Sequence, residues 1–225
     1  MKLLLLGAAG NWAVKVAPHI GTITANALYL APLPAVVHAR QIDDLQTLNP
    51  LPWALMTIST LAWLMYAFAI KNPFIVASNL PGAVVAMFYT VSALAIAPPR
   101  AAQNVQLSMV GGAFATLCLW TLLTFSKAMQ SARSVILGNY ATFFCIILFA
   151  SPLSTIRQVV ESRSAASIYA PMTFFQATNC ALWTVYGLFG SHDVYVWGPN
   201  LTGLILALIQ LALKICFPAP RKAQP

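Results

Sequence analysis

Acidic side chains are the scarcest chemistry in this 225-residue chain: Asp and Glu number four, against twelve Lys and Arg. None of the four falls in the middle of an apolar run; Asp43, Asp44, Glu161 and Asp193 sit at predicted loops or segment ends. A carrier driven by protons or cations needs an ionisable group within the membrane, so this distribution argues against coupling. His19, His38 and His192 are solitary and lie near segment termini, where interfacial or capping roles are the commoner use. Cys118, Cys145, Cys180 and Cys216 show neither CxxC nor a histidine at metal-ligand spacing, which leaves them as small packing residues and implies no metal. Without paired carboxylates, a Ser-His pair or a metal set, there is no enzyme to read here, and no cofactor is expected. The net charge of +8 is spread singly along the chain, with no basic run beyond Arg221-Lys222. Nucleic-acid binding requires a clustered basic face and is therefore excluded as a reading.

What the chain has instead is apolar length. Hydrophobic residues make up 60% and charged residues 7%, with a mean hydropathy of +0.77, more apolar surface than one soluble domain buries. Uncharged runs recur over residues 16–37, 51–70, 74–100, 101–126, 134–156, 164–191 and 194–213. Each holds the roughly 20 residues that cross a hydrocarbon core as a helix. Seven spans with short connections predict an all-α, multi-pass membrane protein with a lipid bilayer as its solvent. Seven of the twelve basic residues, among them Arg40, Arg157 and Lys214, fall on one side. This bias puts the C-terminus in the cytoplasm and the N-terminus outside or in a lumen. Met1-Lys2 and the leucines after them open like a signal peptide, but the apolar stretch is short and Asn11 and Lys15 interrupt its continuation, so cleavage is not expected.

A pattern inside the spans repeats. Ser59, Trp63 and Tyr66 share one helix face, and Asn79-Leu80-Pro81-Gly82 follows in the next span. Asn179, Trp183 and Tyr186, then Asn200-Leu201-Thr202-Gly203, reproduce the set; the tryptophans are 120 residues apart and the asparagines 121. Pro32 and Pro152 precede Trp63 and Trp183 by the same 31 residues. The run at 101–126 has no counterpart and reads as a linker helix. An odd helix between two three-helix units gives both the same orientation, a parallel repeat. The expected division is a first repeat over 1–100, the linker over 101–130, a second repeat over 131–217 and a cytoplasmic tail over 218–225. Pro81 and Gly82 beside Asn79 weaken local backbone hydrogen bonding, so an unwound turn is expected there, the usual pointer to a transporter's binding site.

Amides both donate and accept hydrogen bonds, and aromatic rings offer apolar faces. Asn79 and Asn200 supply the amides, and Trp63 and Trp183 the faces. These paired motifs, with Leu30-Ala31-Pro32, Ser151-Pro152-Leu153, Tyr186-Gly187 and Pro199-Asn200, resemble the SWEET family of sugar facilitators within the PQ-loop superfamily, over about residues 17–216. The resemblance implies two three-helix bundles joined by the fourth helix, with the sugar between them near mid-membrane. It implies that Trp63 and Trp183 cover the sugar. It also maps hinge prolines to Pro32, Pro52, Pro152 and Pro171, the last standing one place off the 120-residue register. Leu30, Ser59, Ala150 and Asn179 correspond to positions that set cavity size; their mixed identities leave mono- and disaccharides both open, with a hexose favoured. Tyr66 and Tyr186 read as packing or gating residues, and Gln176 as an unassigned polar candidate. The implied activity is bidirectional, uncoupled facilitated diffusion by alternating access, in a plasma or organelle membrane. The alternative is a proton-coupled PQ-loop carrier of amino acids or other small polar solutes. Oligomeric state is left open, a homo-oligomer included.

Overall fold

Prolines set where the long helices bend. In the computed structural model, which describes residues 12–218, the first span runs as α1 (Ala17–Leu30) and α2 (Leu33–Ile42). Pro32 lacks the N–H that would bond the Leu28 carbonyl, and Ala31 N takes that carbonyl instead at 3.3 Å, a tightened turn that ends α1. The second span is α3 (Leu51–Ile70), the third α4 (Pro73–Leu94), and the fourth α5 (Pro99–Phe125). A 3₁₀ turn over Lys127–Ala132 leads into α6 (Arg133–Leu148). After a break at Phe149, α7 (Ala150–Ser162) carries Pro152 in its first turn. The sixth span is α8 (Ala170–Val185) continued by a π turn over Tyr186–Gly190, and the seventh is α9 (Val194–Cys216).

Six of these spans are long and apolar enough to cross a membrane: Trp12–Ile42, α3, α4, α5, Lys127–Ser162 and α9. With α8 and its π turn they make the seven helical spans of an all-α, multi-pass membrane protein. The first and fifth are longer than the runs 16–37 and 134–156, because the polar ends at Arg40 and Arg157 stay helical. The expected tail from residue 218 and the apolar start at residues 1–6 fall almost wholly outside the described residues.

The described residues pack as two compact units, one holding the chain up to Thr24 and from Phe149 onward, the other Ala25–Leu148. Within the second, α3 packs on α4, α5 and α6. It is the enclosed helix, with 67% of its apolar window buried against 11% for α5. Phe114, Leu117 and Phe125 of α5 stand exposed, as lipid-facing side chains do. Close approach depends on small residues: Gly112 of α5 leaves no room for a Cβ against Ile58 of α3. Buried hydroxyls bond back into their own helices, Thr57 to the Trp53 carbonyl at 3.0 Å and Thr90 to that of Ala86 at 2.8 Å. In lipid that removes a desolvation penalty of a few kcal/mol per group. In the other unit, α8 and α7 both pack on α9.

The repeat is written into the backbone as well as the side chains. Asp43 and Arg163, 120 apart, both end a helix with positive φ; Lys71, which ends α3, and His192, just past the π turn, stand 121 apart and also have positive φ. Asn72 caps α4 by accepting from Phe74 N and Ile75 N. Its counterpart Asp193 caps α9 by accepting from Tyr195 N at 2.9 Å. The offset thus changes from 120 to 121 between Tyr66/Tyr186 and Lys71/His192. That interval in the second half is the π turn, where Ser191 N bonds the Tyr186 carbonyl five residues back at 2.8 Å. A π turn is how a helix absorbs one extra residue without breaking.

One expectation fails. No turn unwinds at Asn79–Gly82: α4 runs through Pro81, and α9 runs through Pro199. Proline at 81 deprives only the Ala77 carbonyl of its partner, and Asn26 Nδ2 donates to that oxygen at 3.3 Å. A neighbouring side chain therefore supplies what the backbone lost, and the helix has no reason to open.

Candidate functional site

The predicted residues fall into two groups, one in each unit. In the Ala25–Leu148 unit, Ser59, Trp63 and Tyr66 lie on the buried face of α3 and Asn79 on that of α4. Trp63 meets Tyr66 edge-on with ring centroids 5.9 Å apart at 78°, and its indole N–H bonds the Cys145 sulfur of α6. Asn79 turns its amide nitrogen to the Ile75 carbonyl at 2.9 Å and the Ser78 hydroxyl at 3.3 Å. Its Oδ1 accepts from the Tyr29 hydroxyl at 3.3 Å. Tyr29 is held in turn: its carbonyl accepts from Tyr89 Oη at 2.9 Å, and its ring lies where a Cβ on Gly82 would come within 2.5 Å. Gly82 is thus a glycine because an aromatic ring occupies its side-chain space.

The other unit repeats the geometry. Trp183 meets Tyr186 edge-on at 5.8 Å and 79°. Asn200 donates to the carbonyl four residues back, Val196, at 2.7 Å, as Asn79 does to Ile75. A Cβ on Gly203 would lie 2.9 Å from Cys180 Sγ and 3.5 Å from the Phe149 ring; Phe149 stands 120 residues after Tyr29. The surroundings of the tryptophan differ between units. Trp183 Nε1 donates to the Gly21 carbonyl at 3.2 Å, and Asn179 Nδ2 donates to that same carbonyl at 2.9 Å and to Thr24 Oγ1 at 2.7 Å. A Cβ on Gly21 would be 3.1 Å from the indole nitrogen. At the matching place the other half has Ala141, fully buried, and among the described residues Trp63 forms no equivalent carbonyl latch.

Of the cavity positions, Ser59 and Asn179 are buried, whereas Leu30 is 48% exposed and Ala150 is also exposed. Pro32 sits immediately before α2 and Pro152 is the third residue of α7. Pro52 and Pro171 are each the second residue of their helix, α3 and α8, so the one-place slip in sequence disappears when position in the helix is counted. Gln176 lies on an exposed face of α8 and donates to Cys180 Sγ at 3.4 Å. Gly21, Thr24, Tyr29 and Cys145 were not singled out from the sequence. Only Tyr29 left a signal there, an aromatic repeated as Phe149 at the 120-residue offset.

No cluster of His, Cys, Asp or Glu able to hold a metal occurs among the described residues, and their one ion pair, Arg157–Glu161 at 2.7 Å, is exposed on α7. What each group of residues presents is amide, hydroxyl and aromatic chemistry, the kind that suits neutral polar ligands with apolar faces.

The chain is similar to known proteins over most of its length. A family model described as "Sugar efflux transporter for intercellular exchange" matches the chain twice, over residues 18–101 and 135–222. The bidirectional sugar transporter SWEET13 of Oryza sativa subsp. japonica is 28% identical over 202 residues, covering 88% of this chain and 67% of the relative. SWEET11 of Arabidopsis thaliana, also described as a bidirectional sugar transporter, is 26% identical over 214 residues, covering 95% and 73%. In fold, the chain superimposes on a solved structure of a eukaryotic SWEET transporter with a TM-score of 0.82 at 21% identity, covering 92% of this chain and 98% of that one. With seven helical spans and a doubled family match across most of its length, the chain belongs to the SWEET family of membrane transporters.

Proposed function

We propose that this protein is a bidirectional, uncoupled sugar facilitator, with a hexose as the favoured substrate and alternating access as its mechanism. The observation that carries this reading is the doubling of one geometry: an edge-on Trp–Tyr pair at 5.9 and 5.8 Å, and an asparagine fixed to the carbonyl four residues back, in each unit. Tryptophan faces stack on the C–H faces of a sugar ring, and amides bond its hydroxyls. Trp63, Asn79, Trp183 and Asn200 bind the sugar, and Leu30, Ser59, Ala150 and Asn179 tune the cavity. The functional halves are the repeats over 1–100 and 131–217 with the linker over 101–130. They rock about the bends at Pro32, Pro52, Pro152 and Pro171. The described acidic residues lie at helix ends or in connections, which supports flux without a coupled proton. The N-terminus faces outside or a lumen, and the C-terminus the cytoplasm.

Tracer uptake into liposomes containing the purified protein tests the reading, with glucose, fructose and sucrose offered separately. Flux of at least one sugar above protein-free liposomes is expected, and none for any of the three overturns it.

A further inference from the structure

The two asparagines match in sequence, yet their surroundings differ in a way that changes what each can offer a ligand. An amide has two N–H donors and one oxygen with two lone pairs. Asn79 uses both donors within the chain, on the Ile75 carbonyl and the Ser78 hydroxyl, and one lone pair on the Tyr29 hydroxyl. Only the second lone pair of Oδ1 is left. Among the described residues Asn200 makes a single hydrogen bond, to the Val196 carbonyl. The reason is visible in the repeat: Tyr29 is matched by Phe149 and Ser78 by Pro199, so both hydroxyls that hold Asn79 are replaced by side chains with no polar atom.

We infer that Tyr29 is a positioning residue that locks the Asn79 amide as a hydrogen-bond acceptor toward the sugar, while Asn200 remains both donor and acceptor. This rests on the sugar-binding role proposed above for Asn79 and Asn200. Tyr29 suits the task because three contacts fix it. Its ring packs on Gly82 one turn along α4 from Asn79, its carbonyl is held by Tyr89, and its hydroxyl reaches Oδ1. The Ile75 carbonyl, which only accepts, settles which end of the amide carries the N–H groups, and the Tyr29 hydroxyl, with its proton on Oδ1, holds the amide so that the remaining lone pair keeps its direction. Tyr29 also stands three residues before Pro32, so a bend at that proline moves Tyr29 and can release the amide. Phe149 cannot do this for Asn200.

The test is Tyr29→Phe in the full chain, which keeps the ring on Gly82 and removes only the hydroxyl. Exchange of labelled glucose across liposomes is measured over a range of concentrations for the native protein and the variant. Expected is a half-saturation concentration raised roughly fivefold, the factor for losing one neutral hydrogen bond, with the maximal rate within about twofold of native. A merely structural role would lower the maximal rate through lost active protein and leave half-saturation alone. An unchanged half-saturation concentration in Tyr29→Phe, beside native protein that exchanges glucose, overturns the positioning role and spares the transport reading. Native protein that exchanges no glucose, fructose or sucrose overturns both.

Discussion

Three glycines in this chain differ in what surrounds their missing side chain, and substitution should rank accordingly. A Cβ at Gly82 would lie 2.5 Å from the Tyr29 ring, one at Gly21 would lie 3.1 Å from Trp183 Nε1, and one at Gly111 would meet nothing within 4 Å. Overpacking of a fixed ring costs about 1–3 kcal/mol, whereas alanine in an open helical position gains up to about 1 kcal/mol over glycine. Thermal unfolding in detergent should therefore show the midpoint falling most for Gly82→Ala, less for Gly21→Ala, and holding or rising for Gly111→Ala. Trp63, Trp183, Asn79 and Asn200 were legible in the sequence because each recurs at one offset. Gly21 and Thr24 were not, because their role is to receive Asn179 and Trp183 from a helix some 155 to 162 residues away, and nothing in the second repeat echoes it: the matching residues are Ala141 and Phe144.

At the scale of the element, helix ends carry the clearest duplication. Asn72 and Asp193 occupy the same cap, each after a positive-φ residue. Replacing Asn72 by Ala should cost about 1 kcal/mol, read as a lowered unfolding midpoint, and Asn72→Asp should retain the native value because Asp193 does the same work in α9. Helix breaks stand at Pro32 and just before Pro152, two prolines that the family resemblance marked and whose missing donor disrupts a helix. The unwound turn at Pro81 was a wrong expectation for a related reason. A sequence shows which carbonyl loses its partner, here Ala77, but not that Asn26, 51 residues earlier, reaches it. The π turn had a trace in the sequence, the extra residue between Trp183 and Asn200, but its location at Tyr186–Gly190 required the backbone.

For the whole molecule, apolar length, isolated charges and a parallel repeat gave the seven-span architecture, which follows from pattern rather than contact, and the family came from the resemblance of the paired motifs. Which side chains hold each other was beyond that pattern. The scarcity of carboxylates makes a claim about the molecule as a whole, that transport follows the sugar gradient alone. Glucose uptake into liposomes should be the same, within error, with and without an inward proton gradient at zero voltage; acceleration by the gradient would contradict it.

The central claim is that the doubled Trp and Asn set binds the transported sugar, and equilibrium exchange of labelled glucose in liposomes tests it directly. Asn79→Ala and Asn200→Ala should each reduce exchange at least tenfold, the order expected from losing a hydrogen-bonding group that contacts substrate, while each variant elutes as folded protein in detergent. Native exchange rates in both variants would contradict the account.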